Sequence, residues 1–147
     1  MSITASGLYG LSLEKVFIDT LGESLEAEDN KELLVTDTHT PNFDTHNFRD
    51  DVTDEVSGTN YSAGGVAVTA TEVTLASGVL TFDAADVVYT NVTIADAMAG
   101  IFYTNVGSAA TDQLILLQDF VTAASATAAD FTIQHAAGGI FTLDYTP

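Results

Sequence analysis

Apolar positions along the chain change their period once. Over Leu8 to Thr20 the residues Leu8, Leu11, Lys15, Phe17, Ile18 and Leu21 approximate a stripe at three- and four-residue spacing. With Ser6 or Ser12 as a cap and Gly22 as a stop, this predicts a helix. Glu23 to Asn30 is acidic and polar and reads as a solvated connector. Beyond it the pattern shortens to strand-like runs, at Lys31 to Thr36, Val66 to Leu75, Val79 to Asp83, Asp86 to Ile94, Ala97 to Thr104, Gln113 to Phe120, Phe131 to Gln134 and Ile140 to Tyr145. In Val66 to Leu75 the apolar parity flips midway, so a bulge is expected near Ala70 and Thr71. Ser77-Gly78 fits a tight turn into Val79 to Asp83, making a hairpin, and Gly138-Gly139 joins the last two runs. Ala123 to Asp130 is alanine-rich but has no apolar stripe, and reads as a loop of small residues.

Seven or eight strands behind one short helix leave no crossover helices for a parallel sheet. The expected fold is mainly β, an antiparallel β-sandwich or jelly-roll-like barrel with one short N-terminal helix. Residues 1–30 form an N-terminal arm and helix with the acidic connector, set apart as an appendage, and 31–147 a single β-rich domain. No fixed-period repeat interrupts it.

Charge changes the functional picture more than the fold. The 147 residues carry a net charge of −18, with three cations, Lys15, Lys31 and Arg49, against 21 acids. The first 49 residues hold all three cations and nine acids, and the remaining 98 hold twelve acids and no Lys or Arg. Phosphate-backbone binding depends on cations that displace counterions, so nucleic acid is not an expected partner. A 46% hydrophobic content argues for a folded chain rather than an acidic disordered one. No apolar run approaches the roughly 18 residues of a membrane helix, so no membrane partner is expected. The N-terminus has no basic region followed by an apolar run, and the expectation is synthesis in a cytoplasm. Asn60-Tyr61-Ser62 and Asn91-Val92-Thr93 match the glycosylation triplet and read as coincidence in a Thr/Ser-rich strand protein. Zero cysteines exclude disulfides, thiolate zinc sites and thiol catalysis.

Candidate chemistry is sparse. Asp37-Thr38-His39 recurs seven residues on as Asp44-Thr45-His46, and two His with two Asp could hold a transition metal if the loop folded back. The spacing matches no zinc motif and Pro41 marks a turn, so the loop reads as one whose Asp and His cap turns. Asp50, Asp51, Asp54 and Glu55, and the pair Asp83 and Asp86, offer oxygens without the alternating calcium-loop pattern and read as solvated faces. His135 reads as a packed or surface histidine, and no histidine stands by a Gly-x-Ser-x-Gly elbow. No catalytic, cofactor or metal residue is assigned, and no enzyme is expected.

Two stretches carry more information. Val56-Ser57-Gly58-Thr59-Asn60-Tyr61-Ser62-Ala63-Gly64-Gly65 and Asp83-Ala84-Ala85-Asp86-Val87, set among generic β sequence from about residue 8 to the end, resemble small virion structural proteins of tailed bacteriophages. The resemblance implies a particle component, a capsid cement or decoration protein whose partner is the major capsid protein. Its alternatives are a head-tail or tail component, or, outside that resemblance, an Ig- or lectin-like module binding glycan or calcium. This chain differs from that pattern in its scarcity of Lys and Arg, in Asp96-Ala97-Met98 and in Tyr89. No contact residue is carried over. Repulsion between a −18 domain and packaged DNA places it on the capsid exterior. A dimer or trimer is expected on a symmetric shell. Because Lys15 and Arg49 are cations inside an acidic chain, Met1 to Gly7, the first helix and the Asn42 to Asp51 loop are expected to make capsid or sister-subunit contacts, with Lys15, Phe43, Phe48 and Arg49 as the expected partner contacts.

Overall fold

Each strand-like run contributes strand, and the pairing is antiparallel throughout, with one short α-helix among the described residues. The computed structural model describes residues 3–146. In chain order the elements are β1 (Gly7–Leu8), α1 (Gly10–Phe17), β2 (Lys31–Thr36), a single 3-10 turn (Arg49–Asp51), β3 (Gly58–Thr59), β4 (Val66–Ala67), β5 (Glu72–Ala76), β6 (Val79–Asp83), β7 (Val87–Tyr103), β8 (Leu114–Ile133) and β9 (Phe141–Asp144). One sheet runs β1-β8-β7-β2-β4, with β3 added to β7, and the second runs β5-β6-β9. This is the mainly-β, sandwich-like arrangement that the strand count implies. Met1, Ser2 and Pro147 lie outside the described residues.

The parity flip in Val66 to Leu75 is resolved by a change of sheet. β4 pairs with β2, the chain turns through Ala70 at φ 52°, and β5 pairs with β6 in the other layer. Ser77 and Gly78, both at positive φ, form the turn of the β5-β6 hairpin. The helix is shorter than its stripe suggests. Leu8 belongs to a strand, and the Tyr9 N–H donates to the Ile115 carbonyl at 2.9 Å. Neither serine caps it: Ser12 Oγ donates to the Leu114 carbonyl, and Ser6 Oγ accepts the Asp119 N–H. Asp19, at φ 54°, ends it three residues before Gly22.

The largest departure is in β7 and β8. Two expected runs fuse into each strand, and Ala123 to Asp130, expected as a loop, is strand paired to β7 through Ala124, Ala126 and Ala129. Its small side chains lie mostly exposed, so there is no apolar alternation to reveal it. The β7-β8 ribbon also curls on itself. Phe120 and Phe131 are eleven positions apart, about 36 Å in a straight strand, yet their ring centroids lie 6.1 Å apart. Asn91 and Asp96 on β7 and Val121 and Ala128 on β8 take left-handed backbone along this stretch, and the register shifts there. Such bulges bend a paired strand.

Apolar residues fill both sides of the large sheet. Phe82, Tyr89, Val87 and Ile133 meet Leu34, Phe102 and Leu116 between the layers. Leu33, Val35, Ile101 and Leu117 face the other way, against Ile3 and Tyr9, with Phe43 and Val52 beside them. The N-terminal segment, read from sequence as an appendage, therefore covers one face of the body, and Ile3 and Tyr9 have no solvent exposure.

Phe82 is fully buried, 5.2 Å from the Phe102 ring and 5.4 Å from Phe141. Phe82→Ala is expected to cost about 3–5 kcal/mol of unfolding free energy, read as a lower urea midpoint at unchanged slope.

Candidate functional site

The four expected contact residues, Lys15, Phe43, Phe48 and Arg49, come together around the start of β8, but they are engaged within the chain. Lys15 Nζ donates to Gln113 Oε1 at 2.5 Å and lies 4.5 Å from the Phe48 ring centroid. Phe43 packs 5.2 Å from Tyr9, and Phe48 pairs with Gln113 across a bridge. Arg49 Nε donates to Asp112 Oδ2 at 2.9 Å, with its guanidinium 5.4 Å from the Tyr103 ring. The other Asp112 oxygen accepts the N–H groups of Val106, Gly107 and Ser108. This ion pair thus fixes the β7-β8 connection. All four contact side chains are half-buried.

The repeated Asp-Thr-His loop makes turns. Asn42 Oδ1 accepts the N–H groups of Asp44 and Thr45, and His46 Nδ1 accepts that of Asn42 at 3.4 Å. His39 is buried, its ring 6.2 Å from that of His46. Burial, then the His46 charge, lowers its pKa, so it stays neutral. Among the described residues no three His, Cys, Asp or Glu side chains converge to hold a metal ion.

Chemistry concentrates instead on a pair the sequence reading left aside. Glu32, in β2 between β7 and the short edge strand β4, and His135, just beyond β8, meet between the layers with Oε2 and Nε2 3.5 Å apart. Their side chains are 0% and 2% exposed. That distance is an ion-pair contact longer than a formed hydrogen bond, and neither Glu32 oxygen has a hydrogen-bond partner among the described residues. Gly100 makes room for the pair, because a methyl group there would fall on Glu32 Oε1. Burial raises the Glu32 pKa, which the His135 contact only partly offsets. At His135 burial lowers the pKa, but the Glu32 carboxylate, the Ala84 carbonyl and the Asp86 charge outweigh it, and the net shift is upward.

The 56–65 and 83–87 stretches both reach this pair. Asp86 Oδ1 accepts the His135 N–H at 2.9 Å, and His135 Nδ1 lies 3.3 Å from the Ala84 carbonyl. On the other side Gly65, at φ 72°, packs so closely on the Glu32 backbone that a Cβ would collide with its carbonyl. That carbonyl accepts the Tyr89 hydroxyl at 2.5 Å. Tyr89 stacks on Tyr61, 5.5 Å away, and Tyr61 donates to Glu55 Oε1 while accepting the Leu34 N–H. Glu55 Oε1 also takes the Gly64 N–H, and the Gly64 carbonyl takes the Tyr103 hydroxyl. Burial is the main cause of raised pKa values at all three tyrosines, with Tyr103 pushed up to about 12. They remain protonated donors, and the chain of contacts from Arg49 to His135 holds main chain in place.

His135 also forms part of the wall of a cavity of about 670 Å³ in the crook of curled β8, with Phe120, Phe131, Ile133 and Phe141. Gln118 lies in the same wall, and its Nε2 is buried with no acceptor among the described residues. The cavity offers aromatic surface with a few polar groups at its floor, the usual make-up of a binding site. Matched against protein-family models, curated proteins and solved structures, the chain finds no significant counterpart.

Sequence reasoning missed Glu32 because β2 carries an ordinary Lys-Glu start, and only its tertiary position, under Gly100 and against His135, buries the carboxylate. Both pKa shifts of the pair are upward, so the folded state binds more protons than the unfolded chain. The His135 contribution is fully present below about pH 6.5, its ordinary value, and is lost as pH rises through the higher folded value. The Glu32 shift has the same sign, starting above its ordinary 4.5. Stability measured in urea is therefore expected to fall more steeply with rising pH in the native chain than in Glu32→Gln, as pH rises from 4.5 to beyond 6.5. Parallel curves for the two would show that the pair does not couple to folding.

Proposed function

We propose that this chain is a structural protein of a tailed-phage particle, a cement or decoration protein on the outer shell surface that strengthens contacts between major capsid protein subunits. The observation that carries the reading is the distribution of charge. Residues 50–147 contain twelve acids and no Lys or Arg, while Lys15 and Arg49 are turned onto Gln113, Phe48 and Asp112 of the same chain. The field outside the body is strongly negative, which disfavours a place against packaged DNA and suits the solvent side of a shell. The resemblance of the 56–65 and 83–87 stretches to virion proteins adds the particle. In this reading the chain adds buried area across neighbouring capsid subunits and works as a dimer or trimer matched to local shell symmetry.

Antibodies raised against the purified chain are expected to label the exterior of intact tailed particles from its source, and particles stripped of it to lose their contents at lower temperature. Labelling only after heads are opened, or recovery of the chain solely from particle-free extract, would overturn the assignment.

A further inference from the structure

β8 leaves most of its outer edge unpaired. β1 meets it only at Leu116 and Leu117, and among the described residues no strand lies further along on the side away from β7. The chain closes the next positions itself: Ser6 Oγ accepts the Asp119 N–H at 2.9 Å, and the Asp119 carboxylate accepts that of Val121 at 2.8 Å. Between the left-handed residues Val121 and Ala128 remain Thr122 to Thr127, six residues of strand with small side chains. They include no Lys, Glu or Pro, the residues with which native edges are usually blunted.

The cavity in the crook of β8 borders this edge through Ala124. An extended polypeptide laid there meets three needs together. Its main chain pairs with the open edge, one of its apolar side chains enters among Phe120, Phe131 and Phe141, and a carbonyl oxygen reaches the unpartnered Gln118 Nε2. Charge chooses among extended polypeptides. Asp119 and Asp130 stand at either side of Thr122 to Thr127 with no Lys or Arg in that half of the chain, and a second copy would bring another −18. A segment bearing cations is drawn in, and an acidic one is repelled.

We propose that the Thr122–Thr127 edge and its adjoining cavity bind an extended segment of a partner protein, with alternating apolar residues flanked by Lys or Arg. The proposal deepens the docking reading above by naming the partner's chemistry, but its test does not require the particle.

The probe is a synthetic peptide of alternating valine and threonine with lysines at both ends, compared with the same peptide ending in glutamates. Titrated into the isotope-labelled full chain, the lysine form is expected to shift the amide signals of Thr122 to Thr127 and the ring signals of Phe120 and Phe131. The glutamate form is expected to bind about tenfold or more weakly, a gap that narrows with added salt. Ala124→Lys, which places a charged side chain in the crook, is expected to weaken the lysine peptide by about tenfold at an unchanged thermal midpoint. If that variant fails to fold, the comparison of the two peptides on the native chain decides alone. Absence of shifts at millimolar peptide, shifts confined to another surface, or equal binding of the two peptides would overturn the proposal. Peptide binding by a chain that never labels particles removes the particle assignment and keeps this one; labelled particles with no peptide binding do the reverse.

Discussion

A carboxylate cut off from water must find its compensation inside the protein, and the fold around Glu32 is arranged to supply it. An isolated buried charge costs several kcal/mol, more than most single contacts return. Here His135 offsets part of that cost, and it reaches Glu32 only because the β7-β8 ribbon folds back over the β2 strand. The histidine is fixed in turn by Asp86 and the Ala84 carbonyl, while Gly100 leaves the volume the carboxylate occupies. Removing one member strands the other, and the sheet order, the ribbon curl and the 83–87 turn all meet at this buried pair.

Curling a two-stranded ribbon requires irregular backbone, and its placement is informative. Asn91, Asp96, Val121 and Ala128 carry the left-handed conformations, and only the first two are residue types that accept them readily. The strain at Val121 and Ala128 is held by pairing with β7 and by the aromatic contacts of Phe120 and Phe131 inside the bend. The curl that delivers His135 to Glu32 is the same curl that hollows out the crook, so cavity and buried pair are two consequences of one bend.

How much of this was readable beforehand follows from which forces leave a periodic trace. β2 was legible to the residue, since Lys31 to Thr36 has the apolar run of a strand buried on both faces. The β5-β6 hairpin was legible through Ser77-Gly78, where turn chemistry is local. Ala123 to Asp130 was not, because strand formation there comes from hydrogen bonding to β7 rather than from burial, and exposed alanines carry no period. The change of sheet after Ala67 left a parity flip that also fits a bulge, and sequence alone has no means of separating the two. Among the expected contact residues, the structure gathers Lys15, Phe48 and Arg49 around Gln113 and Asp112, with Phe43 packed nearby on Tyr9. Glu32 and His135 lie 103 positions apart, and no spacing rule connects them.

Charge and topology then act on each other. A chain with three cations has few ways to neutralise 21 acids, and this one commits Arg49 to the buried Asp112 that ties down the β7-β8 connection. That pair withdraws one charge of each sign, so the negative exterior follows from the 21 acids against three cations. A negative exterior keeps identical open edges apart, since two copies that approach through β8 must bring their acids together. That repulsion offers one physical reason why a six-residue edge of small, uncharged side chains persists without the lysines and prolines that protect edges elsewhere. The protection lies in the field of the whole molecule rather than in the strand, and it lapses only before a surface of opposite sign.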